Sequence, residues 1–165
     1  MTNPSQRSVL IVEDDADLRQ TLAESLESAG FSVAECADAA AATERLEAFA
    51  YDGLVIDLHL PDANGMTVLE NAVARYPDIK AVVMTGFGGV VEAVDAIKHG
   101  AIDFLIKPFQ LTQLARVIGA AIDQQRLQLE NAEPRAQRRV RFGFDSIVGR
   151  DRAMQELFST LELIA

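Results

Sequence analysis

Five side chains capable of chemistry sit at or just past the ends of apolar runs. They are Glu13 and Asp14 after Val9 to Val12, Asp57 after Leu54, Val55 and Ile56, Thr85 after Ala81 to Met84, and Lys107 after Ile106. Brought together they are three acids, one hydroxyl and one ammonium. Carboxylates held close repel one another unless a proton or cation relieves them, and oxygen ligands with room for water suit Mg²⁺ or Mn²⁺ better than zinc. Lys107 would let an anion approach a cluster that otherwise rejects it, and the Thr85 hydroxyl can donate a hydrogen bond to that anion. A carboxylate can attack phosphorus to give an acyl phosphate, a reaction in which the protein mainly aligns groups and neutralises charge. Asp57 is the residue expected to act as that nucleophile. Alone, each of these residues is an ordinary helix cap or strand-end group; five suitable types at the ends of four runs point to a site.

For these groups to meet, the runs that carry them must lie side by side. Each reads as a buried parallel strand, apolar throughout and polar only where it stops. After Asp57 the turn formers His59, Pro61, Asp62, Asn64 and Gly65 place that carboxylate on a rim rather than in the core. Helical spacing links the strands. Asp15 caps a helix with Leu18, Leu22, Leu26 and Ala29 on one face, ending at Gly30. Asp38 caps another that runs to about Phe49, with Leu46 and Phe49 facing inward. Met66, Leu69, Val73 and Tyr76 mark a third helix stopped by Pro77, and Val91, Val94 and Ile97 a fourth that closes at Gly100 after a Gly-rich loop expected to be mobile. Phe31 to Cys36 is a shorter, more polar strand suited to an edge. Alternating strands and helices predict an α/β fold, a doubly wound five-stranded parallel sheet of order 2-1-3-4-5 with right-handed crossovers. That order sets the ends of strands one, three, four and five beside one another.

The last helix starts near Leu111 and outruns the sheet. Its stripe Leu111, Ala115, Ile118, Ile122, Gln125, Leu129, Ala132 alternates spacings of four and three. Leu114, Val117 and Ala121 are expected to dock on the sheet. Ile118, Ile122 and Leu129 are left for a partner helix from a second copy of the chain. Pro134 is expected to end this helix, and the basic run Arg135, Arg138, Arg139, Arg141 reads as a solvated linker. From Phe144 a new helical pattern needs a core that the remaining residues do not supply, which suggests a further domain cut short. The expected divisions are a disordered end at 1–7, the main domain at 8–122, a helical and basic linker at 123–143, and the start of another domain at 144–165. The polar start MTNPSQRS has no apolar signal region and no run approaches a membrane span, so a cytoplasmic location without membrane contact is expected. A net charge of −10 opposes nucleic-acid binding by this chain, and its single cysteine, Cys36, reads as a packing residue.

Residues 8 to about 125 resemble the receiver domain of two-component response regulators, which has a flavodoxin-like fold. The resemblance is carried by VEDD with Glu13 and Asp14, the Asp57 strand followed by Leu60-Pro61, Thr85-Gly86, Gly100-Ala101, and Lys107-Pro108-Phe109. It implies that Asp57 accepts a phosphoryl group from a sensor histidine kinase. It further implies that Mg²⁺ is held by Asp14, Asp57 and the backbone carbonyl of His59, with Glu13 acting through water. Lys107 would pair with the phosphate, Thr85 would move to bind it, Phe104 would turn inward as it does, and the bond before Pro108 would be cis. Phe104 lacks the hydroxyl of the more usual tyrosine, and Gly88-Gly89 weakens the start of the fourth helix.

The tail GFDSIVGRDRAMQELFSTLELIA resembles the opening of the AAA+ ATPase domain of sigma-54-dependent activators, with Ile147-Val148-Gly149 near the adenine. No G-x-x-x-x-G-K loop occurs in this chain, so a working ATPase is not expected of it. The resemblance implies a receiver that controls such an activator, meeting sigma-54 polymerase and DNA only through domains outside this sequence. It implies no enzyme beyond self-phosphorylation and self-dephosphorylation. A haloacid-dehalogenase-type phosphatase would want an acid two residues after the nucleophile, where His59 stands. A flavin binder would want a hydroxyl-rich loop where Glu13, Asp14 and Asp15 stand.

Overall fold

The computed structural model describes residues 6–86 and 89–146, with side chains described as far as residue 131. The chain divides into two compact units, residues 1–125 and 126–165, and the first holds the whole sheet. In chain order the elements are β1 (Ser8–Val12), α1 (Ala16–Ser28), β2 (Ser32–Cys36), α2 (Ala39–Ala48), β3 (Gly53–Asp57), α3 (Gly65–Arg75), β4 (Lys80–Thr85), α4 (Val90–Lys98), β5 (Asp103–Ile106) and α5 (Leu111–Ser146). The strands form one sheet in the order β2-β1-β3-β4-β5, and every pair is parallel. Val12 is level with Ile56, Asp57 with Met84, and Thr85 with Ile106. This register brings the last residues of four strands to one edge of the sheet.

Alternation along the strands divides the core in two. Leu10, Val12, Leu54, Ile56, Ala81 and Val83 point to the side covered by α2 and α3; Val9, Ile11, Val55, Val82 and Met84 point to the side covered by α1 and α5. The helices begin where a side chain can take up free N–H groups. Asp15 accepts from the amides of Asp17 and Leu18, Asp38 from Ala41, and Asn64 from Met66. No side chain caps α4, which starts from Gly89.

Several expectations are corrected. Phe49 is exposed rather than inward, because α2 ends at Ala48 and the extended backbone of Phe49 turns it off the helical face. Val91, Val94 and Ile97, which marked α4 in the sequence without being given a face, lie on its outer side, with Val91 81% exposed, whereas the small Ala93 and Ala96 face the sheet. Ile118 and Ile122, assigned above to a partner helix, are 0% and 2% exposed. With Leu114 they form one i, i+4, i+8 stripe against Leu22, Leu26 and Val55, so they are core residues and not a dimer surface. Leu129 remains exposed. Helix α5 continues through Pro134 to Ser146. A proline removes one helical hydrogen bond, and the run of arginines and glutamine that follows consists of good helix formers. Arg7, expected in a disordered end, is held: its guanidinium lies 4.2 Å from the Phe31 ring centroid and 3.1 Å from an Asp123 oxygen. Residues 1–5, the loop residues Phe87 and Gly88, the side chains of the basic run and the tail with Ile147-Val148-Gly149 lie outside the described residues.

Candidate functional site

Glu13, Asp57 and Thr85 are the buried polar residues among those described, and all three stand at the carboxyl edge of the sheet. Asp57 ends β3 and is 6% exposed; Glu13 follows β1 and is 1% exposed. Lys107 reaches both from the end of β5, its Nζ donating to Asp57 Oδ2 at 2.6 Å and to Glu13 Oε2 at 2.7 Å. The Lys107 amide also donates to the Thr85 carbonyl at 2.8 Å, and the Lys107–Pro108 bond is cis. Asp14 is exposed. One oxygen each of Glu13, Asp14 and Asp57 lies within 4.8 Å of the others.

The backbone fixes how each carboxylate points. The other oxygen of Asp57, Oδ1, accepts from the His59 amide at 2.8 Å. Glu13 Oε1 accepts from the Asp15 amide at 3.1 Å, and the Glu13 carbonyl accepts from Arg19 Nη1 at 2.8 Å. Gly65, where α3 begins, passes so close to β3 that a Cβ there would collide with the Asp57 carbonyl oxygen. Gly89 packs likewise against the side chain of Thr85, whose hydroxyl makes a long, weak contact of 3.5 Å with the Gly86 carbonyl. Phe104 is half-buried against the core on the α2–α3 side.

Burial pushes the Glu13 carboxyl above the ordinary glutamate range, and the hydrogen bond from Lys107 only partly offsets it. Lys107 is pulled down by burial, but the hydrogen bonds and charges of Asp57 and Glu13 outweigh this and raise it above the usual lysine value. Its ammonium is therefore firmly charged, yet one cation faces three acids. Hard oxygen donors with a surplus of negative charge, one of them open to solvent, fit a divalent cation of the Mg²⁺ type.

Four of the residues foreseen at the strand ends, Glu13, Asp14, Asp57 and Lys107, thus meet through their side chains, and Thr85 adjoins them through its carbonyl bond to the Lys107 amide. Asp62 was read from the sequence only as a turn former and Glu92 was not singled out, and the structure gives both a partner near the site. The Asp62 carboxylate accepts from the amides of Ala39 at 2.9 Å and Ala40 at 3.0 Å, at the start of α2. Those amide bonds, led by Ala39, hold its pKa below the usual aspartate range. Glu92 Oε2 lies 3.3 Å from His59 Nε2. Neither pairing has a local signal, since each joins residues more than twenty positions apart.

The family profile described as the response regulator receiver domain matches residues 9–119. The chain belongs to this family. The receiver is 35% identical over 159 residues to the C4-dicarboxylate transport transcriptional regulatory protein DctD of Rhizobium meliloti, covering 96% of this chain and 34% of that protein. The chain thus spans about a third of the length of that relative. A response regulator receiver domain protein (CheY-like) from Methanospirillum hungatei superposes with a TM-score of 0.71 at 27% identity, over 75% of this chain and 99% of its own. NtrX from Brucella abortus, solved in complex with ADP, gives a TM-score of 0.74 at 27% identity, over 96% of this chain and 34% of its own.

Proposed function

We propose that this receiver takes a phosphoryl group onto Asp57 from the phosphohistidine of a sensor histidine kinase and passes the signal to a sigma-54-dependent activator. The observation that carries the reading is Lys107 Nζ at 2.6 Å from Asp57 Oδ2, beside the acids Glu13 and Asp14. In the transfer an Asp57 carboxylate oxygen bonds to phosphorus as the bond from phosphorus to the kinase imidazole nitrogen breaks, and the imidazole leaves with that electron pair. Lys107 is already in place to neutralise charge on the incoming group. The His59 amide, bonded to Oδ1, holds the carboxylate plane. Asp14, Asp57 and the His59 carbonyl would hold Mg²⁺ or Mn²⁺, with Glu13 acting through water. Such an ion supplies charge neutralisation to phosphoryl transfer.

The switch on this reading is Thr85, whose hydroxyl is held only weakly by Gly86 and is available to bind the phosphoryl oxygens, with Phe104 following by packing alone. The receiver acts as a phosphoacceptor, not as an enzyme turning over a separate substrate. Support for the activator context comes from the DctD relative, whose similarity runs over nearly the whole chain and not just the receiver. The tail 144–165 is read as the start of an AAA+ domain. The partners on this reading are the kinase and, through the exposed part of α5 that includes Leu129, a second copy of the chain. DNA and sigma-54 polymerase are met through other domains. Among the described residues no helix is long and apolar enough to cross a membrane. A cytoplasmic location fits the reading.

Treating the protein with a small acyl-phosphate donor and Mg²⁺, then reducing it with borohydride, converts an aspartyl phosphate to homoserine. Peptide mapping is expected to find homoserine at position 57; homoserine elsewhere, or none, would contradict the assignment.

A further inference from the structure

The loop from Leu58 to Asn64 sets the orientation of Asp57, because the His59 amide holds Oδ1 while Oδ2 faces Lys107. Its base is tied to the sheet. The Leu58 amide donates to the Met84 carbonyl at 3.1 Å, the Gly65 amide donates to the Leu58 carbonyl at 2.9 Å, and His59 and Asn64 form an isolated antiparallel bridge. Its tip is not part of the sheet: Pro61, Asp62 and Ala63 are all exposed. There the Asp62 carboxylate reaches across to α2, one oxygen on the Ala39 amide and the other on the Ala40 amide, at 2.9 and 3.0 Å. Helix α2 already has a local cap, Asp38, which takes the Ala41 amide at 2.7 Å. The same helix end therefore receives two acids with separate partners, one from its own element and one from the phosphoacceptor loop. Two bonds from one carboxylate to consecutive amides fix orientation as well as distance. The anchor they grip is rigid, since Ala39, Ala42 and Leu46 bury α2 against the sheet.

We propose that Asp62 is a positioning residue for the phosphoacceptor: by capping α2 from the tip of the β3–α3 loop it holds the Leu58–His59 backbone, and through the His59 amide the Asp57 carboxylate, in the reactive orientation. The inference rests on the reading of Asp57 as phosphoacceptor and adds to it a residue that touches neither metal nor phosphoryl group. Removing Asp62 frees the loop tip while leaving every charged group of the pocket in place.

The test compares Asp62→Ala and Asp62→Asn with Asp38→Ala, which removes the other cap of the same helix and so matches the loss of helix stability. Three quantities are read in full-length protein: amide exchange at Leu58 and His59, Mn²⁺ affinity of the unphosphorylated form, and the rate of phosphorylation by a small acyl phosphate. Asp62→Ala is expected to speed exchange at Leu58 and His59, to weaken Mn²⁺ binding about tenfold, as loss of a group supporting metal ligands does, and to slow phosphorylation. Asp62→Asn, which keeps one acceptor oxygen, should fall between it and the parent, and Asp38→Ala should leave all three quantities near the parent values. Parent-like exchange and Mn²⁺ affinity in Asp62→Ala, or equal changes in Asp38→Ala, would overturn the proposal. If the parent itself gains no phosphoryl group, the reading of Asp57 fails, and exchange and Mn²⁺ binding still decide the role of Asp62.

Discussion

Lys107 is gripped by two carboxylates at once, and the three groups share one electrostatic problem. Glu13 is almost inaccessible to water, and its carboxyl is raised above the ordinary value of about 4.5 chiefly by burial. The folded chain therefore keeps a proton on Glu13 at pH values where the unfolded chain has lost it. It follows that the stability of the metal-free protein falls as pH rises from about 4.5 through the raised folded value. Urea midpoints measured against pH should show this decline in the parent and a flatter profile in Glu13→Gln. An unchanged slope in the variant would place the effect elsewhere. Asp62 has the opposite sign. Its folded pKa is depressed, so its contribution is present at neutral pH and is lost as pH falls through the folded value. The stability gap between the parent and Asp62→Asn should accordingly close in strong acid. Glu13, Asp14, Asp57, Thr85 and Lys107 were legible in the sequence because each follows an apolar run, where a polar residue has to mark a strand end. Asp62 was not, because its partners lie 23 and 22 residues away and a loop aspartate has reason enough to occur in a turn.

At the scale of elements, the strands and the caps Asp15 and Asp38 could be read directly, since both depend on neighbours in sequence, whereas Asn64, read as a turn former, proves to cap α3. Helix faces were harder to assign. In α4 the spacing of Val91, Val94 and Ile97 marked the helix but no face; the inward residues are Ala93 and Ala96, and the larger three lie outside. In α5 the stripe of fours and threes merged two surfaces: Ile118 and Ile122 pack with Leu114 on α1 and the sheet, while Leu129 lies past the last residue docked there. The division has an energetic signature. Ile118→Ala should cost about 2–5 kcal/mol of unfolding free energy, as for a large residue removed from a packed core. Leu129→Ala should change the stability of the monomer by less than about 0.5 kcal/mol, as an exposed substitution does. Chemical denaturation of both variants, at concentrations low enough to avoid association, checks the pair. Equal losses would mean that the two residues share one environment.

For the whole molecule, the fold puts the chemistry at one edge of a parallel sheet, and the helix that follows β5 continues in sequence to Ser146, so what happens at Asp57 has a covalent route onward along the chain. Strand order was readable because alternating strands and helices leave few topologies for a five-stranded parallel sheet. Assembly is the property that sequence spacing represented least well, since the two isoleucines expected at a dimer seam are inside the core. With those two removed, a dimer rests on Leu129 and the residues after it. Light scattering should show a mass that rises with concentration in the parent and less steeply in Leu129→Glu. A constant monomer mass would exclude self-association through α5.

Whether Asp57 is a metal-dependent phosphoacceptor can be read from intact mass after incubation with a small acyl-phosphate donor, with and without Mg²⁺, for the parent and Asp57→Asn. A gain of one phosphoryl group is expected in the parent with Mg²⁺ and none in Asp57→Asn. No gain in the parent, or an equal gain in the variant, would contradict it.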